Sequence, residues 1–423
     1  MFGRKLIWPL LALLSLVFSC RDANFYLDDN SGGTGPSSPD SRHAVQQSRN
    51  VMIMVSGGHN NLSTYLTADL KEMADGFLPQ GTYQSANVLV VLSRLPVNGF
   101  SSTSVPVLYR LYAGADGTPV RDTLKCWGEE DRLFGGSVLE DALTMVQNRY
   151  PARSYGMVLS SHASGWLPSG YYDKPSAFEG NNNSSVFSHR SIGQDKDNGE
   201  SVEMDLMDFV SAIPYRLSYL VLDCCLSGGV EVAWALRGKV DQVAFTQTET
   251  MAEGFDYSAI VQRLLGESEP NPLGVCEDFY NYYKAQTGVM QSATISLVDT
   301  REMETLASEC ATLFEKYRGS LQSLRGDLVQ GYFRFDRHYF YDLEDILVKA
   351  GITQQEQTRL DAALSACILY KAATPWFMKG GQDGFPITAH CGLSMYLPSM
   401  GTTFLNNYYK NNISWNQLTH LVP

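Results

Sequence analysis

The sequence contains neither a GxGxxG run nor a GxxxxGK[ST] loop, so nothing in it offers a backbone cradle for a nucleotide phosphate. It has no CxxC pair and no histidine at zinc-ligand spacing from one. Of the eight cysteines, one (Cys20) lies in the leader, and the seven that remain are an odd set with no framework spacing. Neither a disulfide scaffold nor a structural metal is indicated, and most of these cysteines read as small buried hydrophobes. No internal repeat is evident. Charge is scarce at 18% and skewed, with 32 Lys+Arg against 45 Asp+Glu and a formal net charge of −13. Such a surface repels phosphate backbones and anionic membranes, which argues against a nucleic-acid partner. What is present is an ordinary globular composition, 44% hydrophobic over 423 residues, enough for two or three domains or one large elaborated one.

The one long apolar run, LIWPLLALLSLVF at 6–18, follows Arg4 and Lys5 and is too short to span a bilayer. It reads as the charged start and apolar stretch of a secretory signal. Its end, Val17-Phe18-Ser19-Cys20, resembles a bacterial lipobox, which implies a signal peptide over 1–19 and lipidation at Cys20; an ordinary signal peptide that happens to contain a cysteine is the alternative. Residues 20–49 carry NSGGTGPSSPDS, a Gly/Ser/Pro tract without apolar period, and read as a flexible tether.

From residue 50, short apolar runs alternate with helical periods. Strands are expected at 51–55, 87–92, 106–112, 155–161, 219–223 and 242–248, with amphipathic stretches from Leu62, Ser137 and Val202. Continuous Val/Leu/Ile strands separated by helices predict an α/β fold with a mostly parallel sheet covered on both faces. Residues 256–423 read as more helical, with periods from Arg301, Phe340 and Thr358 and further strands at 292–298 and 391–398. The polar segment 167–200 reads as a long irregular surface loop.

In such sheets chemistry collects beyond the carboxyl ends of the strands. Directly after the strand at 155–161 comes His162-Ala163-Ser164-Gly165-Trp166, and directly after the strand at 219–223 comes Cys224-Cys225-Leu226-Ser227-Gly228-Gly229. A cysteine nucleophile needs a base or cation for its thiolate and backbone donors for the oxyanion. His162 supplies the first and the loop amides the second; the Gly pair and the helix that follows are expected to stabilise a thiolate. By the same geometric argument His59, in the SGGHNN turn, is a competing base.

SSHASGW together with LVLDCCLSGGVEVAWAL resembles the His and Cys motifs of the clostripain family, cysteine peptidases of the caspase-like clan. VMIMVSGGHNNLSTYLTADLKEM, TQTETMAEGFDY and GLSMYLP add three further ordered segments, so the resemblance spans roughly residues 50–420. It implies a caspase-like catalytic core over 50–255, completed by an α/β part over 256–423. It makes Cys225 the nucleophile, with Cys224 at the family's Ala position, and His162 the catalytic histidine; the amides of Ala163 and Cys225 would form the oxyanion hole. Departures are Ala163 for Gly, Ser227 for Met and His59 where an acidic residue is common.

Asp223 shares a strand face with Cys225 and could line the pocket for a basic residue before the scissile bond, as the resemblance also implies; Gln247, Glu249 and Glu253 are weaker candidates. The expectation is an exported, lipid-anchored endopeptidase that cleaves proteins or peptides after Arg or Lys, touching a membrane only through Cys20. No cofactor or metal is implied, although a calcium requirement stays open. The rival is a catalytically silent binding lipoprotein. Self-processing in the loop would use Arg190 first, then Lys174, with Lys196 between two aspartates least suited.

Overall fold

The computed structural model describes residues 49–58, 60–81, 87–95, 105–135, 137–172, 174–179, 192–197 and 200–423. Cys20, His59 and Arg190 lie outside the described residues. A nine-stranded sheet organises the chain. Its strands are β1 (Asn50–Gly57), β2 (Val88–Arg94), β3 (Val107–Ala113), β4 (Pro119–Cys126), β5 (Ser154–Ser160), β8 (Leu217–Asp223), β9 (Val240–Phe245), β10 (Thr294–Asp299) and β12 (Ile368–Ala373). They run in the order β12-β10-β9-β8-β5-β1-β2-β3-β4. A separate hairpin pairs β6 (Ile192–Asp197) with β7 (Glu200–Met204), and the two-residue β11 (Tyr341–Asp342) pairs with Ser394–Met395.

The five central strands, β2-β1-β5-β8-β9, are parallel, and antiparallel strands close both sides. All eight residues of β1 are buried, as both faces of a central parallel strand are covered. Its alternation sorts them: Val51, Ile53 and Val55 enter a core shared with helices Val138–Arg149, Val230–Leu236 and Met303–Lys316. Met52 and Met54 enter the opposite core, with helices Ser63–Asp75 and Pro272–Lys284.

Residues 256–423 supply β10 and β12 to the same sheet. Four sequence expectations change here. The segment 167–200 is not wholly irregular, since it holds the short helix Pro175–Glu179 and the hairpin strand β6, whose Ile192 and Asp195 are buried. The helix expected from Val202 is β7 followed by Leu206–Ser211. The helix expected from Thr358 ends at Cys367, and Ile368–Ala373 becomes an edge strand whose side chains alternate in exposure. The run 391–398 contributes two bridging residues rather than a full strand. Among the described residues, no helix is long and apolar enough to cross a membrane.

Candidate active site

The chain turns from β1 to β2 on one side and later to β5 on the other, so β1, β5 and β8 leave a crevice at their carboxyl ends. Three segments meet there. Ser160 pairs in register with Asp223, and Ser161 N–H donates to Asp223 O at 3.4 Å, which sets the His and Cys motifs side by side. Gly165 has φ +65°, and a Cβ on it would stand 2.6 Å from Leu226 O, so only glycine lets the two loops touch. Leu226 itself takes φ +56°, a conformation costing a branched L-residue about 1–2 kcal/mol and held by its N–H bond to Thr248 O at 2.9 Å.

His162 and Cys225 line one cavity of about 270 Å³, together with Asn61, Ala163, Tyr172 and Glu249 among others. The structure thus brings together the two residues singled out from sequence. Cys225 Sγ receives the Thr250 N–H at 3.4 Å. Cys224 is buried instead, its Sγ 3.5 Å from Leu159 O, so adjacent cysteines serve opposite sides. Burial first, then the Glu249 carboxylate, pushes the Cys225 thiol up to about 12. The surroundings of Cys225 therefore do not favour the thiolate that the Gly pair and the following helix lead one to expect, because desolvation outweighs the backbone donor.

Asn61 was not singled out from sequence. Its Oδ1 lies 2.6 Å from His162 Nε2. A carboxamide oxygen only accepts, so Nε2 carries the proton and, in the neutral ring, Nδ1 carries the lone pair. Asn60 fixes the turn that presents it, through Asn60 Nδ2 to Gln194 O at 2.8 Å and Leu62 N–H to Asn60 Oδ1 at 2.8 Å. Gly58, at φ +96°, lies where a Cβ would meet Gln194 O at 1.7 Å. The signal available in the sequence was an Asn in the same Gly-rich turn that offered His59.

Ala163 does not have a positive φ, so replacing the family's Gly costs no backbone strain. It forms an isolated antiparallel bridge with Ile192 whose bond runs from Gly193 N–H to His162 O at 2.9 Å. Among the described residues, the Ala163 and Cys225 N–H groups have no backbone acceptor. Ser227, where Met is usual, is buried with its hydroxyl donating to Cys224 O at 2.9 Å.

Asp223 is buried, and its Oδ2 accepts from Tyr257 OH at 2.7 Å and Ser160 Oγ at 3.2 Å. It is not among the residues lining the cavity. Gly254 lies against it, a Cβ there coming within 2.6 Å of Oδ2. Burial raises its carboxyl to about 6 despite the two hydroxyl donors. Gln247 is buried and bonded to Ser296 and Gly392, Glu253 is exposed, and Glu249 opens onto the cavity. Among the described residues, no group of three or more His, Cys, Asp or Glu side chains is arranged to hold a metal ion.

The family model that matches this chain, over residues 54–360, is that of the clostripain family. The chain belongs to that family and is by membership a cysteine peptidase. Its structure is similar to that of an inactive zymogen C11 protease from Parabacteroides distasonis, at 26% identity and TM-score 0.71, covering 88% of this chain and 98% of that one. A secreted C11 cysteine protease from Bacteroides thetaiotaomicron, solved with an irreversible peptide inhibitor, shares the fold at 22% identity and TM-score 0.71, covering 88% and 99%. No curated protein matches the chain.

Proposed function

We propose that the protein is an exported, lipid-anchored endopeptidase that cleaves after Arg or Lys through a His162/Cys225 dyad. The observation that carries this reading is that both side chains line one cavity at the ends of adjacent parallel strands, with Asn61 on His162 Nε2. The thiol proton passes to the imidazole as Sγ attacks the scissile carbonyl, and the amides of Ala163 and Cys225 receive the oxyanion. The imidazolium then protonates the departing amine, and water, deprotonated by the same ring, releases the acyl group. The preference for basic residues rests on the acidic character of the chain, to which Asp223, buried outside the cavity, adds only a longer-range negative potential. Lipidation at Cys20 rests on the leader sequence alone.

A silent binding lipoprotein would find its support in Ala163 and Ser227, the departures from the family motifs, but both are accommodated without strain or an orphaned hydroxyl. For self-processing, Arg190 is the preferred site. Lys174 is weaker because the bond after it is a tertiary amide to Pro175, whose ring is rigid and whose nitrogen carries no hydrogen.

The test is labelling with an acyloxymethyl ketone carrying Arg, and turnover of Arg, Ala and Leu peptides. Wild type should label and prefer Arg, Cys225→Ala and His162→Ala should do neither, and Cys224→Ala should keep most of the activity. Activity in Cys225→Ala with loss in Cys224→Ala overturns the nucleophile assignment; equal rates on the three peptides remove the specificity.

A further inference from the structure

Glu249 is one of two carboxylates, with Glu203, that line the Cys225 cavity, and it is already paired with a basic side chain of the chain itself. One Glu249 oxygen accepts from Tyr172 OH at 3.4 Å, and the other pairs with Arg334 Nε. Neither partner of the ion pair is sealed off, at 19% exposed for Arg334 and 20% for Glu249.

Arg334 comes from a loop closed at its base, where Gly331 bridges Tyr341 and Tyr332 N–H donates to Phe340 O at 2.9 Å. The loop's tip is held differently. Phe335 takes φ +56° and is 48% exposed, with the Arg334 guanidinium 4.9 Å from its ring centre. Arg337 lies 4.9 Å from the ring centre of Tyr172, on the same cavity wall. Two guanidinium groups thus face this wall, while the aromatic ring between them is turned to solvent.

We propose that Glu249 is a cation subsite of the cavity and that Arg334 is its occupant in the substrate-free chain, displaced when an Arg or Lys side chain of a bound peptide enters. The proposal rests on the reading that this cavity accepts peptides. The exchange is chemically even: one partly exposed guanidinium–carboxylate pair replaces another, and the freed Arg334 returns to water at a partly exposed tip. A neutral side chain offers Glu249 nothing, so it leaves Arg334 in place. Selectivity then arises at Glu249 as a difference between two cations competing for one carboxylate.

The test uses full-length Cys225→Ala protein, in which nothing is turned over, and calorimetric binding of acetyl-Ala-Ala-Arg amide and its Leu counterpart. Arg334→Ala should tighten the Arg peptide about tenfold relative to the Leu peptide, and Arg334→Met, which keeps the stem, should do the same. Glu249→Gln should weaken the Arg peptide about tenfold relative to the Leu peptide, and adding Arg334→Ala to it should change nothing further. If both Arg334 variants leave the Arg-to-Leu ratio unchanged or lower it while both peptides still bind, the subsite is overturned and the peptidase reading stands. If neither peptide binds any variant, both fall together.

Discussion

In the proposed mechanism Asn61 is a positioning residue that acts through His162, and that role is measurable. With Asn61→Ala the imidazole loses the acceptor that fixes its proton on Nε2, so kcat should fall about 10–100-fold with KM little changed. Asn61→Asp keeps an acceptor but adds a charge that favours the imidazolium, so the acid limb of the pH–rate profile should move up, a shift Asn61→Ala does not produce. Equal limbs in both variants would sink the positioning role. Asp69 gives a second residue-scale prediction. Burial, then the neighbouring Asp223 and Glu72 carboxylates, raises its carboxyl from 3.8 to about 8. The folded chain therefore binds this proton more tightly than the unfolded chain. Its contribution is intact below about pH 4 and erodes as pH rises through 8. Asp69→Asn should accordingly gain stability relative to wild type at pH 8.5 over pH 5 in urea titrations; the same difference at both pH values contradicts the assignment.

At the scale of elements, the hairpin strand β6 is tied to the segments that form the candidate site. The side chains of Arg94 and Asp195 form an ion pair at 1% and 0% exposure, and the second Asp195 oxygen accepts Leu133 N–H at 2.9 Å. From there the strand runs back through Gln194, bonded to Asn60 and Ser161, to Gly193 on the His162 carbonyl. Arg94→Met leaves a buried carboxylate without its guanidinium counter-charge and should cost roughly 3–5 kcal/mol in urea unfolding, much of it recovered in Arg94→Met/Asp195→Leu. A single-variant loss below about 1 kcal/mol would remove the anchor from the account. This element also marks the limit of sequence reading. β1, β5 and β8 were legible because unbroken apolar runs have one explanation, a strand covered on both faces. The run IGQDKD reads as polar loop because the partner that makes Asp195 a buried residue lies 101 positions away. The site divides in the same way. His162 and Cys225 were legible from strand ends, whereas Arg334 reaches Glu249 across 85 positions and has no local signature.

Across the whole molecule, the order β8-β5-β1 has a consequence for any cut between residues 180 and 191. Such a cut puts β1 to β5 and His162 on one fragment, and β8, β9, β10, β12 and Cys225 on the other. The two would still share one sheet, joined by the parallel register from Gly156–Tyr219 to Ser160–Asp223. The buried Arg94–Asp195 pair also crosses between them. Separation would expose the edges of two central strands and the apolar faces that helices cover on both sides, far more than the one peptide bond had contributed. A recognition sequence for an unrelated protease, placed in this interval and cleaved in the purified protein, should therefore give two bands on a denaturing gel but one elution position in native gel filtration. Reactivity toward the Arg probe should persist after the cut, because sheet register rather than chain continuity sets His162 against Cys225. Two native peaks, or a register-dependent activity that vanishes on cutting while the fragments stay together, would show that the intact loop itself holds the dyad in place.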